Sequence, residues 1–276
     1  MEPVINTVHL FPVLDQKLIE LLKSLSVDDW NKRTVARLWT VKAVAAHLLD
    51  GNFRMISLLR DGYSAPPETA INSYQDLVAY LNKLNADWVQ AAKRISPELL
   101  IDLLESSGQQ YSRLMVAQEM HADALFPVAW AGEEISKNWF HIAREYTEKW
   151  HHQQQIREAT GKQGILTDAL FFPCIATLLR GLPYTYRNTD AANGTVISIT
   201  IRIEKDYQWY LVRNAEEWEL TTTEHPVQHA GIYIPCDIAW KLFTKALSPA
   251  EAREHIQLNG DQNLAGVALR LIAVMA

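Results

Sequence analysis

SKNWFHIAREYTEKWHHQQQIREATGK, residues 136–162, is the stretch on which the reading of this chain turns. It can run as one helix until Gly161, because glycine takes up the left-handed conformation that closes a helix. At about 100° per residue, His141, Glu145, Glu148, His152 and Gln155 fall within an arc of about 80°. Trp139, Tyr146 and Trp150 lie on the other side. Periodicity taken alone therefore buries the aromatics and leaves the polar stripe as a solvated face. The alternative is that the stripe is a set of ligands.

Working outward, the preceding sequence is dominated by helical patterns. Residues 5–25 carry apolar positions at helical spacing, and SVDDW follows as an acidic segment resembling an N-cap. WTVKAVAAHLLDGNFRMISLLRDG, residues 39–62, reads as a helix that stops at Asp61-Gly62, and YSAPPET reads as a loop. Another amphipathic helix is expected over Ser73–Arg94, and SPELL opens a short one with Ser96 as N-cap and Pro97 in the first turn. A weaker segment over 111–134 precedes the long polar helix. Four long periodic segments joined by modest loops are the pattern of a helical bundle.

After about residue 165 the texture changes. GTVISITIRIEKDYQWYLVRN reads as two strands of alternating β-branched and aromatic residues, WELTTTEHPVQHAGIYIP adds more, and CDIAWKLFTKAL and NLAGVALRLIAVM return to helix. The expected fold class is therefore α plus α+β: a four-helix bundle over residues 1–162, followed by a smaller α+β domain over 163–276.

Composition narrows the partners. The 276 residues are 48% hydrophobic and 21% charged, as in a globular protein. A net charge of -6 without like-charge blocks gives no footprint for nucleic acid or an anionic membrane. The longest apolar stretch, ILTDALFFPCIATLL, is interrupted by Asp168 and Pro173 and is too short to span a bilayer. The N-terminus lacks the basic region and cleavage site of a signal peptide, so a cytoplasmic location is expected. Cys174 and Cys236 form no CxxC pair and are expected to be buried and reduced.

His47 changes the weight given to the polar stripe. It lies in VKAVAAHLL, where no neighbouring polar side chain can satisfy an imidazole, so its partner must come from elsewhere. Glu148 and His152, one helical turn apart, can converge on one ion while His47 approaches from a facing helix. Nitrogen and oxygen donors without thiolate suit zinc, nickel, iron or manganese. Three protein donors leave a position open for water or substrate, as catalytic sites do. Spacing also permits Glu145 with His151, or His151 in place of His152. His151 points about 100° away from its neighbour, an exposed or outer position.

DDWNKRTVARLWTVKAVAAHLLDG, residues 28–51, together with REYTEKWHHQQQIREATG, residues 144–161, resembles the DinB-like family, in its mycothiol-dependent maleylpyruvate isomerase branch. The resemblance implies a four-helix bundle that binds a divalent metal, zinc first, through His47, Glu148 and His152. WYLVRNAEEWEL and PCDIAWKLFTKAL with LNGDQNLAGVALRLI are similar to that branch's sterol-carrier-like second domain. It further implies a low-molecular-weight thiol, whose thiolate adds to an electrophilic small-molecule substrate for cis–trans isomerisation or S-transfer. An arginine of the second domain would clamp a carboxylate, with Arg202, Arg213 and Arg270 available. Trp39 would pack beside the histidine helix, and Glu145 would stand as an outer group near the ion. Competing expectations are a metal-dependent hydrolase, a small-ligand-binding protein with a structural or vestigial metal, and a non-enzymatic bundle. The chain would act as a monomer or homodimer.

Overall fold

Local chemistry sets the helix ends. In the computed structural model, which describes residues 4–274, Phe11–Lys23 forms α1 with Pro12 in its first turn, where the missing amide costs nothing. Thr40 caps α2, Val41–Asp61, by accepting from the Ala43 amide, and Gly62 closes it at φ 63°. Ser73 caps α3, Tyr74–Ala92, and Ser96 caps α4, Pro97–Val116, in the same manner. The fifth long helix, α5, spans Asn138–Thr160, and Gly161 ends it at φ 69°.

One expectation needs correction here. SPELL does not open a short helix: α4 runs for 20 residues. Leu100, Ile101, Leu104, Gly108, Tyr111 and Met115 recur at helical spacing and are buried, so packing carries the helix through the weak formers Ser106-Ser107-Gly108. Beyond Val116 the weaker segment is loop, with one 3₁₀ turn at Ala129–Ala131. The acidic SVDDW segment makes a cap-like exchange in its own turn: Asp29 Oδ2 accepts from the Ser26 amide, and Ser26 Oγ accepts from the Asp29 amide.

The described residues pack as two units whose segments alternate along the sequence. Residues 6–120 and 148–165 form a helical unit, and residues 121–147 and 166–274 form a unit built on a sheet. In the helical unit α1 and α2 pack on α4, and α3 packs on α2. Leu18, Leu22, Val44, Leu48, Leu49, Leu100, Leu104 and Ile156 fill the core. Each such side chain contributes roughly 1.5–3 kcal/mol by leaving water.

The sheet unit begins with α6, Asp168–Leu178, and α7, Leu182–Tyr186. The apolar run around Pro173 is thus a buried helix, and among the described residues no helix is long and apolar enough to cross a membrane. Five strands follow: β1, Val196–Arg202; β2, Asp206–Asn214; β3, Glu217–Thr221; β4, Ala230–Pro235; and β5, Gln257–Gly260. Their order is β3-β2-β1-β4-β5, antiparallel except for the central β1–β4 pair. The helix α8, Cys236–Phe243, buries Trp240 and Phe243. The tail is helical over part of the expected stretch: a short α-helix at Gln262–Gly266 continues as a 3₁₀ helix at Val267–Arg270 and ends at Leu271. Cys174 is buried as expected, but Cys236 is half-buried.

The polar stripe of α5, which periodicity alone would leave in water, is mostly buried. From Asn138 to Arg157 every residue is buried except Arg144, Glu145 and Glu148, which are half-buried. In the helical unit Lys149 donates to Asp15 Oδ1 of α1 at 2.9 Å and to Asn52 Oδ1 of α2 at 2.8 Å. Asn52 donates in turn to Ser107 Oγ of α4 at 3.0 Å, and the ammonium lies 4.4 Å from the centroid of the Tyr111 ring. Gly108 makes room for this arrangement, since a Cβ there would stand 2.8 Å from Asp15 Oδ2.

Removing one partner of a buried ion pair strands the other. Lys149→Met is therefore expected to cost about 3–5 kcal/mol in urea unfolding. The double variant Asp15→Asn/Lys149→Met is expected to lose less than the sum of its single changes; simple additivity would show that the pair is not coupled.

Candidate metal centre

Two helices of the helical unit bring imidazoles together. The His47 ring on α2 meets the His152 ring on α5 edge-on, with centroids 4.6 Å apart. Trp39, just before α2, covers both, at 4.8 Å from His47 and 6.1 Å from His152. Along α5, Glu148 Oε2 lies 3.7 Å from His152 Nε2 and 4.0 Å from His151 Nδ1. One ligand atom each from Glu148, His151 and His152 lies within 4.8 Å of the others.

Hydrogen bonding selects the tautomer of His152. Its Nδ1 stands 3.0 Å from Gln155 Oε1, an acceptor, so Nδ1 carries the hydrogen and Nε2 presents its lone pair on the Glu148 side. Burial pulls the His152 pKa down to about 3, helped by His151, and holds His47 well below its ordinary range, helped by His152. Both rings are therefore neutral near pH 7, the form that coordinates metals. His47 Nδ1 is shut off from water and has no hydrogen-bond partner. For a zinc ion with donors at about 2.0–2.1 Å in a tetrahedron, neighbouring donor atoms stand about 3.4 Å apart. The 3.7 Å and 4.0 Å separations are within a small side-chain adjustment of that edge.

Other sequence expectations resolve differently. His151 is buried at 5% exposure, not turned out to water, because Glu148 and its own ring contact with His152 hold it inward. Its spacing of three from Glu148 was a signal available in the sequence, as was Gln155, three beyond His152. Glu145 belongs to the sheet unit and pairs with Arg144 at 2.9 Å. Of the three arginines, Arg202 and Arg270 are exposed, and Arg202 pairs with Asp206. Arg213 is half-buried beside Trp218, with Nε and Nη1 buried and without a hydrogen-bond partner.

Residues 11–157, more than half of the chain, match the model of the mycothiol maleylpyruvate isomerase N-terminal domain. The chain belongs to that family. Two solved structures of the mycothiol-dependent maleylpyruvate isomerase, one of them a histidine-to-alanine mutant, share the fold of the whole chain. Their TM-scores are 0.55 and 0.54, at 10% sequence identity, over 94% of this chain and 93% of theirs. No curated protein matches the chain in sequence. The family's helical region thus includes both His47 and the Glu148–His152 pair, and the sheet that follows is part of the shared fold.

Within the sheet unit, burial lowers the His141 pKa to about 4, and its Nδ1 accepts from Arg144 Nη2 at 2.7 Å. An unfolded chain would bind a proton there below about pH 6.5 while the folded chain would not. Stability is fully present above that pH and is expected to fall by up to about 3 kcal/mol as pH drops to about 4. Urea unfolding at pH 7.5 and 4.5 checks this. His141→Gln should flatten the difference, and an unchanged profile would assign the loss to other groups.

Proposed function

We propose that this chain is a divalent-metal-dependent enzyme of the maleylpyruvate isomerase type. His47, Glu148 and His152 hold the ion, and a low-molecular-weight thiol acts on a small electrophilic substrate by isomerisation or S-transfer. The observation that carries the proposal is the buried, unpartnered Nδ1 of His47 beside a histidine whose Nε2 lone pair is already aimed. Two imidazoles and one carboxylate suit zinc first, then nickel, iron or manganese. They leave a position for an exogenous donor. When bound, the ion would lower the pKa of a thiol, so that thiolate is available near neutral pH.

The chain's own residues prepare the site for this. Burial keeps both imidazoles neutral and available as donors. Gln155 fixes the orientation of His152, and Glu148 supplies one compensating negative charge. Trp39 shields the rings from bulk water, which strengthens electrostatic attraction at the site. A cytoplasmic setting, where small thiols are kept reduced, suits such chemistry.

Metal content measured by inductively coupled plasma mass spectrometry on untagged protein is expected to be near one ion per chain. His47→Ala and His152→Ala should lose it, and turnover of an electrophilic unsaturated acid should require added thiol. Wild-type protein that carries no ion and binds none on titration would sink the proposal. Gln155→Leu leaves the donors in place but frees the His152 ring. It is expected to weaken zinc affinity about 10–100-fold in a chelator competition.

A further inference from the structure

Glu148, His151 and His152 stand at positions i, i+3 and i+4 of α5, so the two histidines flank the glutamate on one helix face. We infer that His151 is itself a donor to the ion, through Nδ1, giving the centre a second imidazole from α5. This rests on the metal-dependent function proposed above and adds a donor to it.

Three observations converge on the assignment. The candidate atoms of the three residues form one cluster within 4.8 Å. His151 Nδ1 is 4.0 Å from Glu148 Oε2, close to the separation of about 3.4 Å between two donors on a tetrahedral zinc. The His151 ring is buried and packs against His152 with centroids 4.0 Å apart, although a direct sequence neighbour is displaced by about 100° around the helix. A side chain with only a surface role would have turned outward. With His47 of α2, whose ring lies 4.6 Å from that of His152, the ion would have four protein donors. His151 would then take the position that the other three donors leave, and a thiolate would enter as a fifth donor, to which zinc sites can expand.

Cobalt(II) loaded into chelator-stripped protein reports the donor set without any assay of activity. His151→Cys is expected to gain a thiolate-to-cobalt charge-transfer band in the near ultraviolet. Wild type, whose only cysteines are Cys174 and Cys236, sets the background. His151→Asn should change the visible cobalt spectrum and weaken affinity by more than about 100-fold, beyond the range of an outer hydrogen-bonding partner. Circular dichroism verifies folding of each variant, and if His151→Cys does not fold, the His151→Asn spectrum decides. A folded His151→Cys protein without the new band, together with a wild-type spectrum in His151→Asn, would overturn the inference while leaving the His47–Glu148–His152 site intact. Wild type that binds neither cobalt nor zinc would remove the proposed function and this inference together.

Discussion

A helix that is polar on every side and buried over most of its length must find a partner for each of its hydrogen-bonding groups. That constraint on α5 organises much of the molecule. In the helical unit, Lys149 takes Asp15 and Asn52, and Trp150 Nε1 donates to the Ile165 carbonyl at 3.2 Å. Arg157 donates to the carbonyls of Gln163 and Lys17. In the sheet unit, Tyr146 donates to the Leu170 carbonyl at 2.8 Å, and Arg144 engages His141 and Glu145. The bonds to Asp15, Asn52 and the Lys17 carbonyl tie α5 to segments about a hundred residues or more away, so polar contacts add to its buried aromatics in specifying its surroundings.

The same constraint gives the imidazole cluster its meaning. A buried neutral histidine with one nitrogen bonded is an ordinary core residue, and His152 has Gln155 for that purpose. His47 lacks the counterpart on Nδ1, as do both side-chain amide atoms of Gln153 on α5, but only His47 meets the His152 ring edge-on. An ion joining His47, Glu148 and His152 would offset that cost. Part of its binding energy would then appear as folding stability, since the cluster exists only when α2 and α5 are packed.

What could be read from the sequence follows from where the determining partners lie. Thr40, Gly62, Ser73, Ser96 and Gly161 act on backbone groups a few residues away, and the helix ends they set were legible. His47 was legible as a site residue because its local sequence offers it nothing polar. The burial of the α5 stripe was not, because periodicity within one helix carries no information about Asp15 or Asn52, each about a hundred residues or more from Lys149. The strand β5 was missed for a similar reason: QLNG has no alternating pattern, and it is a strand because β4 offers an edge. His151 was read as exposed or outer from its direction relative to His152, and the structure overturns the exposed half of that reading, since the ring is buried beside Glu148 and His152.

Anchoring also sets the rotation of α5 about its own axis. Lys149 and Arg157 are eight residues apart, about 80° in projection, and both reach α1, through Asp15 and the Lys17 carbonyl. With that flank pinned, the adjoining face that carries Glu148 and His152 is directed without help from any ion, and it meets His47 of α2. Gly108 and Gly164 belong to the same anchoring: a Cβ at Gly108 would strike the Asp15 carboxylate, and one at Gly164 would stand 2.6 Å from the Arg157 guanidinium. A donor face held by charged side chains on its flank is preorganised, so little reorientation of the helix opposes metal capture.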